Sequence, residues 1–99
     1  MDQATVIEKL KRFKLLLENH YNVNSVILFG SYANGHQRED SDIDVAVVIN
    51  QPEGDYLTYT SLLWKLRRQI DVRIEPILFE EGLDPSGFLE EIKTSGIQI

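Results

Sequence analysis

The chain contains no cysteine, and this absence excludes disulfide bonds, thiolate zinc sites and catalysis by a thiol. It also lacks any apolar run near the roughly 20 residues that a membrane-spanning helix needs. Its first residues do not follow the basic and then apolar profile of a secretory signal peptide. We therefore expect a cytoplasmic protein that does not associate with a membrane.

Positive charge is scarce in this chain. Lysine and arginine total 10 against 16 aspartate and glutamate residues, so the formal net charge is −6. A nucleic-acid backbone repels a domain this acidic, and we therefore expect no DNA binding and no general RNA binding. A protein of this kind that handles phosphate is expected to do so through a metal ion or a local group of backbone N–H groups.

The remaining composition is that of a small globular domain. Apolar residues make up 42% and charged residues 26% of the 99 residues, which excludes a disordered chain, a collagen-like chain and a coiled-coil rod. The sequence contains no internal repeat, low-complexity tract or long linker. We expect one domain over residues 1–99.

Hydrophobic periodicity predicts alternating helices and strands. In the first segment Val6, Leu10, Phe13 and Leu17 recur at helical spacing and form one apolar stripe. Because helices and strands alternate, we expect an α/β (α+β) fold, a small mixed β-sheet flanked by helices. The predicted segments are, in order, a helix over 2–20, a strand over 25–29, a helical turn and loop over 32–41, a strand over 42–49, a loop over 50–54, a helix over 55–69, an extended run over 70–79 and a short helix between 84 and 96.

Two prolines refine the last elements. Pro76 has no backbone N–H, so we expect the extended run over 70–79 at an edge or an exit of the sheet. Asp84 and Pro85 suit the start of the last helix. We expect that helix to bury Phe88 together with Leu89 and Ile92.

Two aspartates of the second strand form the first candidate site. Alternation puts Ile43 and Val45 on one face of this strand and Asp42 and Asp44 on the other. Two carboxylates this close repel each other unless a cation joins them, and Mg²⁺ or Mn²⁺ is the hard cation that suits oxygen ligands. For an isolated Asp-x-Asp pair, a solvated strand end is the more ordinary interpretation.

A Gly-Ser turn precedes the two aspartates. Gly30 and Ser31 close the first strand and open a helical turn, a geometry that directs N–H groups and a hydroxyl at an anion. Taken alone, Ser31 is better explained as a helix N-cap. Together with Asp42 and Asp44 in the following strand, the turn predicts a metal–nucleotide site.

A third carboxylate is available near the start of the third extended run. Phosphoryl transfer with two metal ions needs a carboxylate beside the acceptor hydroxyl. Asp71 is our candidate, because alternation directs it away from Ile70 and Val72. Glu75 shares the predicted face of Asp71, and the pattern leaves this second candidate open.

The spacing of these motifs carries a family resemblance. The run LFGSYANGHQREDSDIDVAVV has Gly30-Ser31, ten intervening residues and then Asp42-Ile43-Asp44. It resembles the minimal nucleotidyltransferases of the DNA polymerase beta-like superfamily, which also usually have glycine and serine at the positions of Gly35 and Ser41. The resemblance implies a polymerase beta palm-like fold across nearly the whole chain.

The resemblance also implies a role for each motif residue. Gly30 and Ser31 would hold the outer phosphates of a nucleoside triphosphate, and Asp42 and Asp44 would bind two Mg²⁺ ions. Asp71 would complete the metal site beside the acceptor. The implied reaction is attack on the α-phosphate, which releases pyrophosphate and leaves a nucleoside monophosphate on the acceptor.

One position departs from the family pattern. The family usually has a basic residue immediately before the second glycine, where this chain has Asn34. Arg38 is near enough in sequence to supply the phosphate contact instead.

The identity of the acceptor follows from the resemblance alone. Minimal nucleotidyltransferases are commonly paired, as antitoxins, with a small helical toxin of the HEPN type. The resemblance therefore implies transfer of AMP from ATP to a toxin side chain, typically tyrosine. An acidic domain is electrostatically suited to a basic RNA-cutting partner.

Two other functions stay open at this point. An acidic cleft would attract a cationic small molecule such as an aminoglycoside as the acceptor. Alternatively, the chain neutralises its partner by binding alone, without catalysis. The oligomeric state is open as well, because the apolar tail over 96–99 suits either the core or another chain.

Overall fold

The computed structural model describes residues 1–50 and 54–99, so the predicted loop over 50–54 lies mostly outside the described residues. The predicted order of helices and strands is confirmed, with one short strand added at the end of the chain. No helix of the described ranges is both long and apolar enough to span a bilayer. The elements are α1 (Gln3–Glu18), β1 (Val23–Phe29), α2 (Ser31–Asn34), β2 (Ile43–Ile49), α3 (Tyr56–Arg67), β3 (Ile74–Glu80), α4 (Phe88–Ser95) and β4 (Ile97–Gln98).

The four strands form one mixed sheet in the order β3-β2-β1-β4. Strand β1 is antiparallel to both β2 and β4, whereas β2 and β3 are parallel and are connected through α3. The predicted fold class, a small mixed sheet flanked by helices, is therefore confirmed.

Helices α1 and α3 cover one face of the sheet. The predicted stripe of Val6, Leu10, Phe13 and Leu17 is fully buried there. The side chain of Asp2 accepts a hydrogen bond from the Thr5 backbone N–H and so caps the start of α1. This face carries the larger apolar core, in which β2 contributes Ile43, Val45, Val47 and Ile49.

Helix α4 covers part of the opposite face, called here the α4 face. Leu89 and Ile92 of α4 pack on Ile27, Ala46 and Val48 of the sheet. By the register of the strands, the side chains directed to this face include those of Ile27, Phe29, Asp44, Ala46, Val48, Glu75, Ile77 and Phe79.

Strand β3 lies at the edge of the sheet, as Pro76 predicted. Two of its outward-facing carbonyl groups accept hydrogen bonds from side chains. The Ile74 carbonyl accepts a hydrogen bond from the Arg67 guanidinium, and the Leu78 carbonyl accepts one from the Tyr56 hydroxyl. Pro76 between them has no N–H to offer, so this edge is poorly suited to pairing with another strand.

The prediction of an extended chain from residue 70 is wrong for its first four residues. The N–H groups of Ile70 and Asp71 both donate to the Arg67 carbonyl, and the Ile74 N–H donates to the Asp71 carbonyl. These short-range hydrogen bonds hold residues 70–73 in turns. Strand β3 therefore begins only at Ile74.

The predicted burial of Phe88 is also wrong. Leu89 and Ile92 are buried as predicted, but 41% of Phe88 is exposed. The side chain of Asp84 accepts hydrogen bonds from the N–H groups of Leu89 and Glu90, as a capping residue does. The prediction that Pro85 starts this helix is wrong, because α4 begins at Phe88 with Gly87 as its N-cap.

A buried tyrosine predicts how stability changes in alkaline solution. Tyr21 is buried, and its hydroxyl donates to the Tyr59 carbonyl over 2.5 Å. Burial, with the charge of Tyr59 as a smaller cause, raises the pKa of Tyr21 to about 12. Because the folded state resists ionisation of this phenol, its contribution is complete below about pH 10 and is lost as the pH rises towards 12. We expect Tyr21→Phe to be less stable than the parent at pH 9 by about 1 kcal/mol.

Urea unfolding at several pH values from 9 to 12 tests this expectation. The advantage of the parent over Tyr21→Phe in the free energy of unfolding should change by about 1–2 kcal/mol over that range, falling from about 1 kcal/mol to zero or reversing its sign. A constant difference would mean that the phenol of Tyr21 ionises equally readily in the folded and the unfolded chain.

Candidate active site

The Gly-Ser turn lies at the junction of β1 and α2. Gly30 has a φ of 75°, a conformation that glycine adopts readily, and α2 begins at Ser31. The Gly30 carbonyl accepts hydrogen bonds from the N–H groups of Ala33 and Asn34. The predicted strand-to-helix turn is therefore present.

Asp44 lies directly against this turn. A Cβ atom built on Gly30 would lie 2.4 Å from Oδ2 of Asp44, closer than two such atoms can approach. The absence of a side chain at Gly30 is thus what admits the Asp44 carboxylate, and the two motifs that lie apart in sequence form one site.

Glu75 joins this site from the neighbouring strand. In the parallel pairing of β2 and β3, Asp44 and Glu75 are register partners. Burial, and then the negative charges of Asp42 and Asp44, raise the pKa of Glu75. Burial and then the charge of Asp42 also raise the pKa of Asp44. Asp42, Asp44 and Glu75 therefore act on one another electrostatically.

Asp71 lies elsewhere, in the turn before β3 instead of at its start. Its carboxylate forms an ion pair with Lys9 of α1 over 2.7 Å and accepts a hydrogen bond from the Arg73 backbone N–H over 2.8 Å. Burial raises the pKa of Asp71, but the contacts with Lys9 and Arg73 outweigh it and hold that pKa below its usual value. The structure thus brings Glu75, and not Asp71, beside Asp42 and Asp44.

The donor chemistry of Asp42, Asp44 and Glu75 fits a hard divalent cation. All three offer carboxylate oxygens, and their mutual repulsion is of the kind that a cation relieves. As they stand, no three histidine, aspartate or glutamate side chains of residues 1–50 and 54–99 are grouped closely enough to hold a metal ion.

A comparison with protein families agrees with this geometry. The family described as polymerase beta nucleotidyltransferases has a model that matches residues 8–99. The chain belongs to the polymerase beta nucleotidyltransferase family. The resemblance carried by Gly30-Ser31 and Asp42-Ile43-Asp44 is thereby confirmed, and the chain is a nucleotidyltransferase.

Individual relatives of this nucleotidyltransferase extend the comparison. It is 37% identical over 74 residues to a protein of Methanocaldococcus jannaschii that is named as a candidate protein adenylyltransferase, and the match covers 75% of this chain and 85% of that protein. A solved toxin–antitoxin structure with AMP-PNP matches with a TM-score of 0.64 and 30% identity, over 91% of this chain and 70% of that one.

A second solved complex is that of a tri-AMPylated Shewanella oneidensis HEPN toxin with an MNT antitoxin. It matches this nucleotidyltransferase with a TM-score of 0.59 and 26% identity, over 97% of this chain and 70% of the other. The likeness to these complexes concerns the fold, and the chemistry named for them belongs to those proteins.

The loop between the Gly-Ser turn and the aspartates contacts the turn that precedes β3. Nη1 of Arg73 donates to the Glu39 carbonyl over 3.4 Å, and the Arg38 N–H donates to the Ser41 side chain over 2.8 Å. Asn34 and Arg38 are both exposed. This chain has Asn34 where the family usually has a basic residue. That Arg38 makes the phosphate contact in its place stays a prediction.

The close contact at Gly30 yields a second prediction. In Gly30→Ala the new methyl group would displace the Asp44 carboxylate, and a displacement of about 1 Å at a reacting centre lowers a rate by about a hundredfold. Gly82→Ala is the matched control, because Gly82 also has a positive φ of 84° but no atom lies within 4 Å of the position that a Cβ would take there.

Gly82→Ala is expected to reduce the free energy of unfolding by about 1–2 kcal/mol, since alanine is strained at positive φ. Gly30→Ala is expected to lose more, because its φ of 75° and ψ of −151° lie in a region almost confined to glycine and because the methyl group meets Asp44. Nucleotidyl transfer should therefore be measured at a temperature at which thermal unfolding shows both variants to be folded. Activity lost only in Gly30→Ala is the expected result, and equal activities would contradict the proposed role of this contact.

Proposed function

We propose that this nucleotidyltransferase moves AMP from ATP onto a hydroxyl group of a partner protein, as the antitoxin of a HEPN/MNT toxin–antitoxin pair. The observation that carries the proposal is the packing of Asp44 against Gly30, with Glu75 as the register partner of Asp44. The Gly-Ser turn thus lies next to a group of carboxylates, as binding of a metal-bound nucleotide would require.

That geometry supports one role for each residue. The backbone at Gly30 and the Ser31 hydroxyl bind the outer phosphates of the nucleotide. Asp42, Asp44 and Glu75 would hold Mg²⁺, or Mn²⁺, with two ions expected. A metal ion held there would supply the positive charge that neutralises the phosphates.

The bond changes balance without a further reactant. The acceptor oxygen forms a bond to the α-phosphorus while the bond from that phosphorus to the bridging oxygen breaks. Pyrophosphate leaves, AMP stays on the acceptor, and the acceptor proton passes to a carboxylate of the site. Glu75 is the carboxylate that we assign to the acceptor side, in place of Asp71, because Lys9 already neutralises Asp71.

The choice of a protein as the acceptor is supported by the relatives. The similar protein of Methanocaldococcus jannaschii carries the name of a candidate protein adenylyltransferase. In the complex from Shewanella oneidensis the HEPN toxin carries AMP. An acidic chain with a net charge of −6 also suits a basic partner.

Label transfer from ATP tests the proposal. Samples of extract from the source cell receive the protein, Mg²⁺ and ATP labelled in either the α- or the γ-phosphate. A protein band labelled only from the α-position, and absent with Asp42→Ala/Asp44→Ala, is the expected result. If no nucleoside triphosphate labels any protein, the proposal fails, and nucleotidyl transfer to a small molecule or binding without catalysis takes its place.

A further inference from the structure

An apolar strip crosses the α4 face beside the carboxylates. The ring of Phe88 makes edge contacts with Phe29 on one side, with 5.9 Å between ring centroids, and with Phe79 on the other, with 6.1 Å. Ile77 lies on the same face two residues before Phe79. We call Phe29, Ile77, Phe79 and Phe88 the apolar strip.

The strip is exposed although it is made of large apolar side chains. The exposed fractions are 41% for Phe88 and 39% for Ile77, and Phe29 and Phe79 are half-buried. Single exposed apolar residues are common in soluble proteins, but three aromatic rings in contact that reach from β1 to β3 indicate an interaction surface.

The strip and the carboxylates adjoin on the same face. Phe29 is the register partner of Asp44 in the antiparallel pairing of β1 and β2, and Ile77 follows Glu75 by two residues in β3. Side chains two residues apart on a strand project to the same side. A protein that covers Asp44 and Glu75 on the α4 face therefore also meets the strip.

We propose that the apolar strip is the surface on which the acceptor protein docks, and this inference rests on the proposed transfer to a partner protein. The partner presents apolar side chains around its acceptor hydroxyl and lysine or arginine at the rim. The rim charge follows from complementarity, because Asp42 next to the strip and Glu90 and Glu91 on α4 are exposed and acidic.

A protein fits the strip better than the base of the nucleotide does. Two strand spacings separate β1 from β3, so the strip extends over about 10 Å of the sheet, which is wider than one base. Its four side chains offer no hydrogen-bonding group with which to distinguish one base from another. An apolar centre with a charged rim is instead the usual composition of a protein interface.

Variants of Ile77 and Phe88 test the docking surface. In Ile77→Ser and in Phe88→Ser, labelling of the acceptor protein in the extract should fall about tenfold, because few residues carry most of the affinity of an interface. The fall should come from a higher apparent KM for that acceptor. Affinity for ATP, measured by calorimetry with Mg²⁺, should change less than twofold. Ile77→Arg should impair labelling more than Ile77→Glu, since a basic partner repels arginine.

Two controls separate docking from folding. Leu57→Ser removes an apolar side chain that is 70% exposed on α3, on the other side of the molecule, and should label the acceptor like the parent. If Phe88→Ser melts at a lower temperature, Ile77→Ser decides the question, since Ile77 is exposed on an edge strand. A photoreactive benzoylphenylalanine at position 77, but not at position 57, should crosslink to the same protein that takes label from the α-phosphate.

The possible outcomes are distinct. Unchanged labelling by the Ile77 variants overturns the docking surface and leaves the proposed transfer intact. If these variants lose affinity for ATP to the same extent as they lose labelling, the docking surface is also overturned, because the strip would then hold the nucleotide. If the parent protein labels no protein at all, the proposed function fails, and the acceptor surface fails with it.

Discussion

Replacing Asp42 and Asp44 together with asparagine should lower nucleotidyl transfer by on the order of a thousandfold or more, since metal-assisted stabilisation of the transition state is worth several kcal/mol. Asparagine keeps the size of each side chain and removes its charge. The loss should therefore reflect metal binding and not altered packing.

The same variant should be at least as stable as the parent. Burial and the charge of Asp42 disfavour the ionised form of Asp44 in the folded chain, and the double substitution removes that repulsion. Loss of activity with retained or increased stability is typical of residues kept for function.

Activity and stability must be measured together to interpret this variant. Transfer of α-phosphate label and thermal unfolding without added metal are the two readouts, and Asp40→Asn is the control, because Asp40 is an exposed acid of the preceding loop. Retained transfer in the double variant would contradict the assignment of these aspartates to the metal site. A large loss of stability would leave the activity result without a specific interpretation, and single substitutions would then be compared.

Glu75→Gln should lower nucleotidyl transfer and preserve stability, whereas Asp71→Asn should preserve transfer and lower stability. We expect Glu75→Gln to reduce transfer by more than a hundredfold, because Glu75 is the register partner of Asp44 and responds to the charges of Asp42 and Asp44. Its stability should not fall, because the substitution relieves repulsion.

Asp71→Asn should keep most of the activity and lose stability. Asparagine can still accept the Arg73 N–H, but Lys9 loses its ionic partner at a half-buried position. A hydrogen bond between charged groups contributes about 1.5–3 kcal/mol, and we expect a loss of about 1–2 kcal/mol in the free energy of unfolding.

The comparison of these two variants decides which acid serves the acceptor side. Transfer rates at saturating Mg²⁺ and the free energy of urea unfolding are the measurements. A severe loss of transfer in Asp71→Asn with normal activity in Glu75→Gln would restore the assignment implied by the sequence resemblance. Lys9→Met, which removes the ionic partner of Asp71 while retaining much of the length of the side chain, should reproduce the stability loss of Asp71→Asn.

Several features of this protein are determined by local sequence. The stripe of Val6, Leu10, Phe13 and Leu17 predicts α1 because helical spacing repeats within a few residues. The alternation around Asp42 and Asp44 predicts which side chains of β2 face the core. The interval between Gly-Ser and Asp-x-Asp identifies the family, which the match over residues 8–99 confirms.

The assignment of Asp71 depended on where a strand begins, and periodicity locates such boundaries poorly. Hydrogen bonds to the Arg67 carbonyl keep the chain turned through residue 71, and β3 starts at Ile74. The alternation of Ile74, Pro76 and Leu78 was the available signal, because it directs Glu75 to the face opposite the core.

What the amino-acid sequence determined by itself is the order of elements, the apolar faces and the motif that gives the family. Each of these features depends on residues that are close together along the chain. The tertiary structure decided that Asp44 lies against Gly30, that Glu75 lies beside Asp44 where the sequence had left both Asp71 and Glu75 open, and that Phe88 stays exposed between Phe29 and Phe79. Strand register and helix packing set these contacts, and both depend on residues far apart in sequence.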